Sequence, residues 1–467
     1  MGIVLNGGTV VTAADVYQAD VRIEGERIAA LGFEIEQPGD QVINVDGCFI
    51  VPGGIDPHTH FDLPAGDITT SDDFYSGTRA ALLGGTTTII DYATQFKGES
   101  LKTGLENWHK KADGKCFVDY GFHMAITDWN DSVAQEMTTM VHQEGVPSFK
   151  LYMAYKNVLQ VDDAALLQAL RRAGECEALV CVHCENGDVV YDLVQKARQV
   201  GKIAPKYHPL TRPPEAEAEA ASRVIALAQM ADAPVYIVHL TCSGALQAVI
   251  DAKLQGREVY AETCPQYLLL DESYYDSEGF NGAKYVISPP LRPIQNQAAL
   301  WTGLQTGILE TMATDHCAFN YKGQKELGLE DFSKIPNGAP GVETRMGLLY
   351  TYGVQTGKLN LNEFVALTST NAAKLFGLFP RKGTIAPGSD ADLVVWDPRS
   401  SSEISVDRLH QQVDYTPFEG FRQQGKAIKV FLRGKLVCQD GELIQELPAG
   451  KYLFRNPFLR RKDGKHV

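Results

Sequence analysis

Ile55-Asp56-Pro57-His58-Thr59-His60 decides how this chain folds. The apolar run Cys48-Phe49-Ile50-Val51 precedes it, and Pro52-Gly53-Gly54 breaks the chain in between. Side chains on a strand alternate with a period of two, so His58 and His60 share one face. Two neutral imidazoles so placed can grip one metal ion. His-x-His alone fits two ordinary strand histidines equally well, so the rest of the chain has to decide.

Working outward, the stretch is the first of eight apolar runs: Gly54–His60, Thr86–Ala93, Val118–Ile126, Ser148–Ala154, Leu179–Glu185, Val235–Leu240, Val259–Pro265 and Ile308–His316. Amphipathic segments such as Asp72–Leu83, Asp131–Gln143, Asp162–Cys176, Glu215–Met230 and Ser243–Leu254 separate them. Strands alternating with crossover helices predict an α/β fold, a (β/α)8 TIM barrel, over 53–379. Residues 1–52 read as short strands with Gly turns: Gly2–Leu5, Thr9–Thr12, Ala19–Glu24, Arg27–Leu31 and Gln41–Asn44. β texture returns over 380–446, at Gly383-Thr384-Ile385, Ala391–Trp396, Ala427–Leu432 and Lys435–Gln439. Neither end can bury a core alone, so the two are expected to form one small β-sandwich domain. The basic, aromatic-spaced segment 447–467 reads as a mobile terminus or as an arm packed on a neighbouring subunit.

Composition narrows the function. With 58 acidic against 43 basic residues, the net charge of −15 argues against nucleic acid and against an anionic membrane surface. No run is long and apolar enough to span a bilayer. The chain opens as a strand without a charged leader, so no signal peptide is expected. Nine scattered cysteines read as reduced core thiols of a cytoplasmic protein. Cys181-x-x-Cys184 lies inside a strand pattern and has no second pair, which sets aside a redox or zinc-knuckle reading.

Active sites of such barrels lie at the C-terminal ends of the strands. There the sequence puts His58 and His60 (first run), Lys150 (fourth), His183 (fifth), His239 (sixth) and Asp315 (eighth). Singly, His183 and His239 fit core histidines. Lys150 is odder, because lysine is seldom buried without a partner. Burial favours its neutral amine, which is a nucleophile and can also take up CO2 to become a carbamate able to bridge two cations. Asp315 is costly to bury unless paired or bound to metal. Together, six such side chains at one end of one barrel favour a metal site.

These stretches resemble the dihydropyrimidinase/hydantoinase family, cyclic amidohydrolases of the amidohydrolase superfamily. The resemblance rests on Pro-Gly-Gly-Ile-Asp-Pro-His-Thr-His (52–60), Ser-Phe-Lys-Leu-Tyr-Met-Ala-Tyr-Lys (148–156), His-Cys-Glu-Asn (183–186), Tyr-Ile-Val-His-Leu (236–240), Glu-Thr-Cys-Pro-Gln-Tyr-Leu (262–268), Ser-Pro-Pro-Leu-Arg (288–292), Thr-Asp-His-Cys (314–317) and Pro-Asn-Gly-Ala-Pro-Gly-Val-Glu (336–343). It implies two Zn2+ ions per subunit. His58, His60 and Asp315 would hold the buried ion, His183 and His239 the exposed one, and carboxylated Lys150 (N6-carboxylysine) both. It implies hydrolysis of a small cyclic amide to an N-carbamoyl amino acid by a bridging hydroxide. Asp315 would be the general base and acid, Tyr155 would stabilise the oxyanion, and the main chain at Ser288 and Asn337 would read the ring's CO-NH-CO edge. It also implies a homotetramer. Dihydropyrimidines and alkyl- or aryl-hydantoins remain open as substrates, governed by the loop 61–67 and the one after Tyr155. Allantoinase, a one-metal deaminase and a non-catalytic scaffold are the rivals; Lys150 and the complete set of six ligands speak against the last two.

Overall fold

The structure, a computed structural model, describes residues 2–460. Eight parallel strands succeed one another in chain order: β1 (Gly54–Thr59), β2 (Thr86–Thr94), β3 (Asp119–Ala125), β4 (Ser148–Tyr152), β5 (Leu179–His183), β6 (Val235–Ile237), β7 (Val259–Thr263) and β8 (Thr311–Met312). Each arises from one of the eight apolar runs. Strands of a parallel barrel are covered on both faces, which is why they read as continuous runs rather than alternating patterns; all nine residues of β2 are buried. The eighth run holds its ladder for only two residues. Beyond Met312 the backbone bends, and the barrel closes through an isolated Thr59–His316 bridge and a 2.8 Å bond from His60 N–H to the His316 carbonyl. Helices between the strands start on side-chain caps: Asp73, Ser100, Asn130 and Asp162 each accept from a backbone N–H of the first turn.

Both chain ends build the second unit. A four-stranded sheet uses Ile3–Asn6, Asp20–Glu24, Arg27–Gly32 and Gln41–Asn44. A seven-stranded sheet joins the two ends where Leu393–Trp396 run antiparallel to Phe49–Pro52. Leu5, Val21, Ile50, Leu393, Val395 and Phe431 fill the space between the sheets. One expected strand is absent: Gly383–Ile385 forms no ladder. Gly383 sits at φ +81° against Ala373, a conformation that turns the chain, and Ile385 enters the core from that turn.

The C-terminal segment, as far as Arg460, lies on its own barrel; residues 461–467 of the expected tail fall outside the described residues. Tyr452 bridges Tyr120 on β3, Leu453 is buried, and the Arg455 guanidinium reaches Ser148 Oγ at 3.0 Å and the Phe122 carbonyl. This is the N-terminal end of the barrel, opposite the site. Nearby, Asp119, Asp390 and Asp392 converge on Lys382, with Nζ 2.7 Å from Asp119 and 3.3 Å from Asp390 and also bonded to Asp392. Arg433 pairs with Asp119, and Arg27 and Arg381 pair with Asp390. Four cations on three acids make this an ion network joining barrel and sandwich rather than a metal site. All nine cysteines are buried and free. Among the described residues, no helix is long and apolar enough to cross a membrane.

Candidate active site

The C-terminal end of the barrel opens into a cavity of about 600 Å³, lined by His60, Lys150, Tyr155, His183, His239, Ser288, Asp315 and Asn337 among others. His58 lies just beneath, fully buried. All the residues singled out in the sequence therefore meet at one site. Three of them hold positive φ: Tyr155 (+65°), His239 (+38°) and Asp315 (+52°). Such backbone is costly for non-glycine residues and persists where the surroundings over-determine it, which happens most often at functional sites.

His58, His60 and Asp315 form one group, with Asp315 Oδ1 3.1 Å from His58 Nε2 and 3.3 Å from His60 Nε2. His58 Nδ1 is taken by Glu262, a buried residue of β7. A neutral imidazole that gives its one N–H to Glu262 turns a bare lone pair toward the Asp315 carboxylate. Two electron-rich atoms 3.1 Å apart need a proton or a metal cation between them. Burial opposes charge on His58, but Glu262 and Asp315 outweigh it and raise its pKa. Burial likewise opposes charge on Asp315, yet His58 and His60 hold its carboxyl well below the usual carboxylate range.

His183 and His239 form the second group, with Nδ1 and Nε2 3.0 Å apart. Burial depresses both imidazoles, which favours their neutral, metal-binding form. His183 Nε2 donates to Glu185 at 2.8 Å, so its Nδ1 carries the lone pair, which faces His239 Nε2. Arg212 holds Glu185 from behind at 2.6 Å. Burial works to raise the Glu185 pKa, but Arg212 and His183 bring it down to about 2. A carboxylate behind a ligating histidine fixes tautomer and orientation. Among the described residues, the ring nitrogens His58 Nε2, His60 Nδ1 and His239 Nδ1 are buried with no hydrogen-bond partner. Buried polar atoms are normally satisfied, and of the three it is His58 Nε2, which faces Asp315, that fits a site built for a cation.

Lys150 stands between the groups on β4, 1% exposed. Its Nζ lies 4.6 Å above the Tyr92 ring and, among the described residues, forms no ion pair. Burial pushes its ammonium toward the neutral amine.

A model described as the amidohydrolase family matches residues 49–437. The chain belongs to that family. D-hydantoinase of Geobacillus stearothermophilus is 49% identical over 451 residues, covering 97% of this chain and 96% of that protein. The crystal structure of dihydropyrimidinase from Brevibacillus agri NCHU1002 is 51% identical, covers 99% of this chain and 100% of that one, and superposes with a TM-score of 0.98. L-hydantoinase from Arthrobacter aurescens, at 26% identity, covers 96% and 99% and still reaches 0.87. Within the amidohydrolases the chain thus falls on the dihydropyrimidinase/hydantoinase branch, as the motifs implied.

The sequence reading did not single out Glu262, Glu185, Arg212 or Tyr92. Glu262 carries the same signal as Lys150, an ionisable residue inside a buried run (Val-Tyr-Ala-Glu-Thr). It also accepts from Tyr236 Oη at 2.8 Å and His239 N–H at 3.1 Å, which ties both ligand groups together. Glu185 lies within the quoted His-Cys-Glu-Asn. Arg212 has no local signal, because its partner comes from another loop.

Proposed function

We propose that this protein is a zinc-dependent cyclic amidohydrolase that opens 5-substituted hydantoins and dihydropyrimidines to N-carbamoyl amino acids. The observation that carries the reading is the meeting of four imidazoles, Lys150 and Asp315 beneath one cavity whose wall holds Ser288 and Asn337. His58, His60 and Asp315 would hold one Zn2+, His183 and His239 the other, and Lys150, as its CO2 adduct, both. Bound there, the two ions supply an activated water at neutral pH and an electrophile for the ring carbonyl. Asp315, kept ionised, takes the proton of the attacking water and returns it to the departing ring nitrogen. The Tyr155 hydroxyl, kept protonated by burial, donates to the developing oxyanion. Main-chain groups at Ser288 and Asn337 orient the imide edge.

Leu63, Phe96, Val158, Leu159 and Phe319 make the cavity wall apolar. Sites of about 300–1,000 Å³ enclose drug-sized ligands. That space and those walls favour a ring with an apolar 5-substituent, alkyl or aryl, over bare dihydrouracil. A homotetramer in the cytoplasm is part of the proposal; nine reduced thiols support the compartment. Metal analysis with a panel of dihydrouracil, hydantoin, 5-phenylhydantoin and allantoin tests the reading. Expected are two zinc ions per chain and the fastest turnover on 5-phenylhydantoin; a zinc-free protein that opens no ring would refute it. Light scattering should report four chains.

A further inference from the structure

Lys325 is fully buried in the turn Lys325–Gly328, outside the metal group. Its Nζ donates to three main-chain carbonyls, Val286 at 2.8 Å, Pro336 at 2.8 Å and Gly338 at 2.7 Å. An ammonium has three N–H donors, and all three are used. Among the described residues no carboxylate pairs with it. Burial without a counter-charge pushes its pKa down to about 7, so three carbonyl acceptors are a specific provision that favours the protonated form.

The carbonyls belong to the two segments that face substrate in the reading above. Val286 lies two residues before Ser288, and Pro336 and Gly338 flank Asn337. Neighbouring groups are occupied as well: the Ile287 carbonyl accepts from His208 Nε2 at 2.7 Å, and Gly338 N–H donates to Val286 at 3.0 Å. The peptide groups of Ser288 and Asn337, at the cavity wall, have no hydrogen-bond partner among the described residues. The surrounding carbonyls are thus drawn away from the cavity, and the main chain at these two residues stays open to a ligand.

We propose that Lys325 is a positioning residue for substrate recognition, whose buried ammonium holds the main chain at Ser288 and Asn337 at the spacing a ring CO-NH-CO edge requires. The proposal rests on the cyclic-amidohydrolase reading. It touches neither the metal ligands nor Asp315, so its signature is a split between KM and kcat.

Lys325→Met nearly keeps the volume, ends one atom short of Nζ and removes every donor. In the full-length, zinc-loaded protein acting on a 5-substituted hydantoin, KM is expected to rise about 10-fold or more. The zinc content should equal the wild type's and kcat should stay within about threefold. Unchanged KM, or a loss confined to kcat, would overturn the inference. If Lys325→Met does not fold, Lys325→Gln, which keeps two donors, should show the same split with a smaller factor; wild-type KM in that variant overturns the inference equally. A wild-type protein that opens none of the rings would sink the functional reading itself, and this inference with it.

Discussion

Lys150 concentrates the argument at the scale of single residues. It is buried, without an ion pair among the described residues, and driven toward its neutral form, a state that makes little sense for a structural lysine. Lys150→Ala should lower bound zinc from two ions to one or none and abolish turnover; elemental analysis beside an activity assay checks both. Glu185→Gln keeps the shape but removes the charge that orients His183. Partners of ligating histidines contribute about 10–100-fold in metal affinity, so chelator competition should show a loss of that size at one site only. The six candidate ligands were legible because a metal-capable or ionisable side chain at a predicted strand end is chemically out of place, whereas Tyr155 came only with the family resemblance. Glu185, Arg212 and Lys325 were not, because their meaning lies in partners from distant loops. Nothing near Lys325 in the chain announces carbonyls at 286, 336 and 338.

Among elements, the barrel strands were the easiest to read, since two-sided burial writes itself as unbroken apolar runs. The last was over-read: Ile308–His316 is apolar only at Ile308, Leu309, Met312 and Ala313, and the ladder stops at Met312 because the backbone turns to present Asp315. The loop 336–343 illustrates what a pattern cannot show. Gly338 holds φ +147°, and a Cβ there would stand 2.1 Å from the Cys317 carbonyl. Gly338→Ala must push the loop off that carbonyl and off Lys325. Overpacking of this kind costs about 1–3 kcal/mol. The expected result is a lowered Tm together with a raised KM, measured by thermal melting and steady-state kinetics; an unchanged KM would separate the loop from substrate binding.

Over the whole molecule, the pairing of the two β-rich ends could be argued from their small size alone, whereas the ion network beneath them could not. Lys382 joins Asp119 of β3 to Asp390 and Asp392 beside the sandwich. Removing one partner from a buried ion cluster costs about 3–5 kcal/mol, so Lys382→Met should lose that much in denaturant unfolding. Burial opposes charge on Lys382, but Asp392 and Asp119 outweigh it and raise its pKa above the ordinary 10.5. The native state therefore binds this proton more tightly than the unfolded chain does. The stability it contributes is fully present below pH 10.5 and is lost as pH climbs beyond it. Melting curves of the wild type should show that alkaline decline, and Lys382→Met should lack it. A different consequence follows from the way the barrel closes. His58 belongs to its first strand, His60 directly follows it and Asp315 follows its last, so a cation gripped by all three would span the join between them. A nascent chain on the ribosome exposes two of these donors long before it exposes the third. Full capture of such an ion would have to wait until the last barrel strand has been made, and the ion would then rivet the seam it depends on.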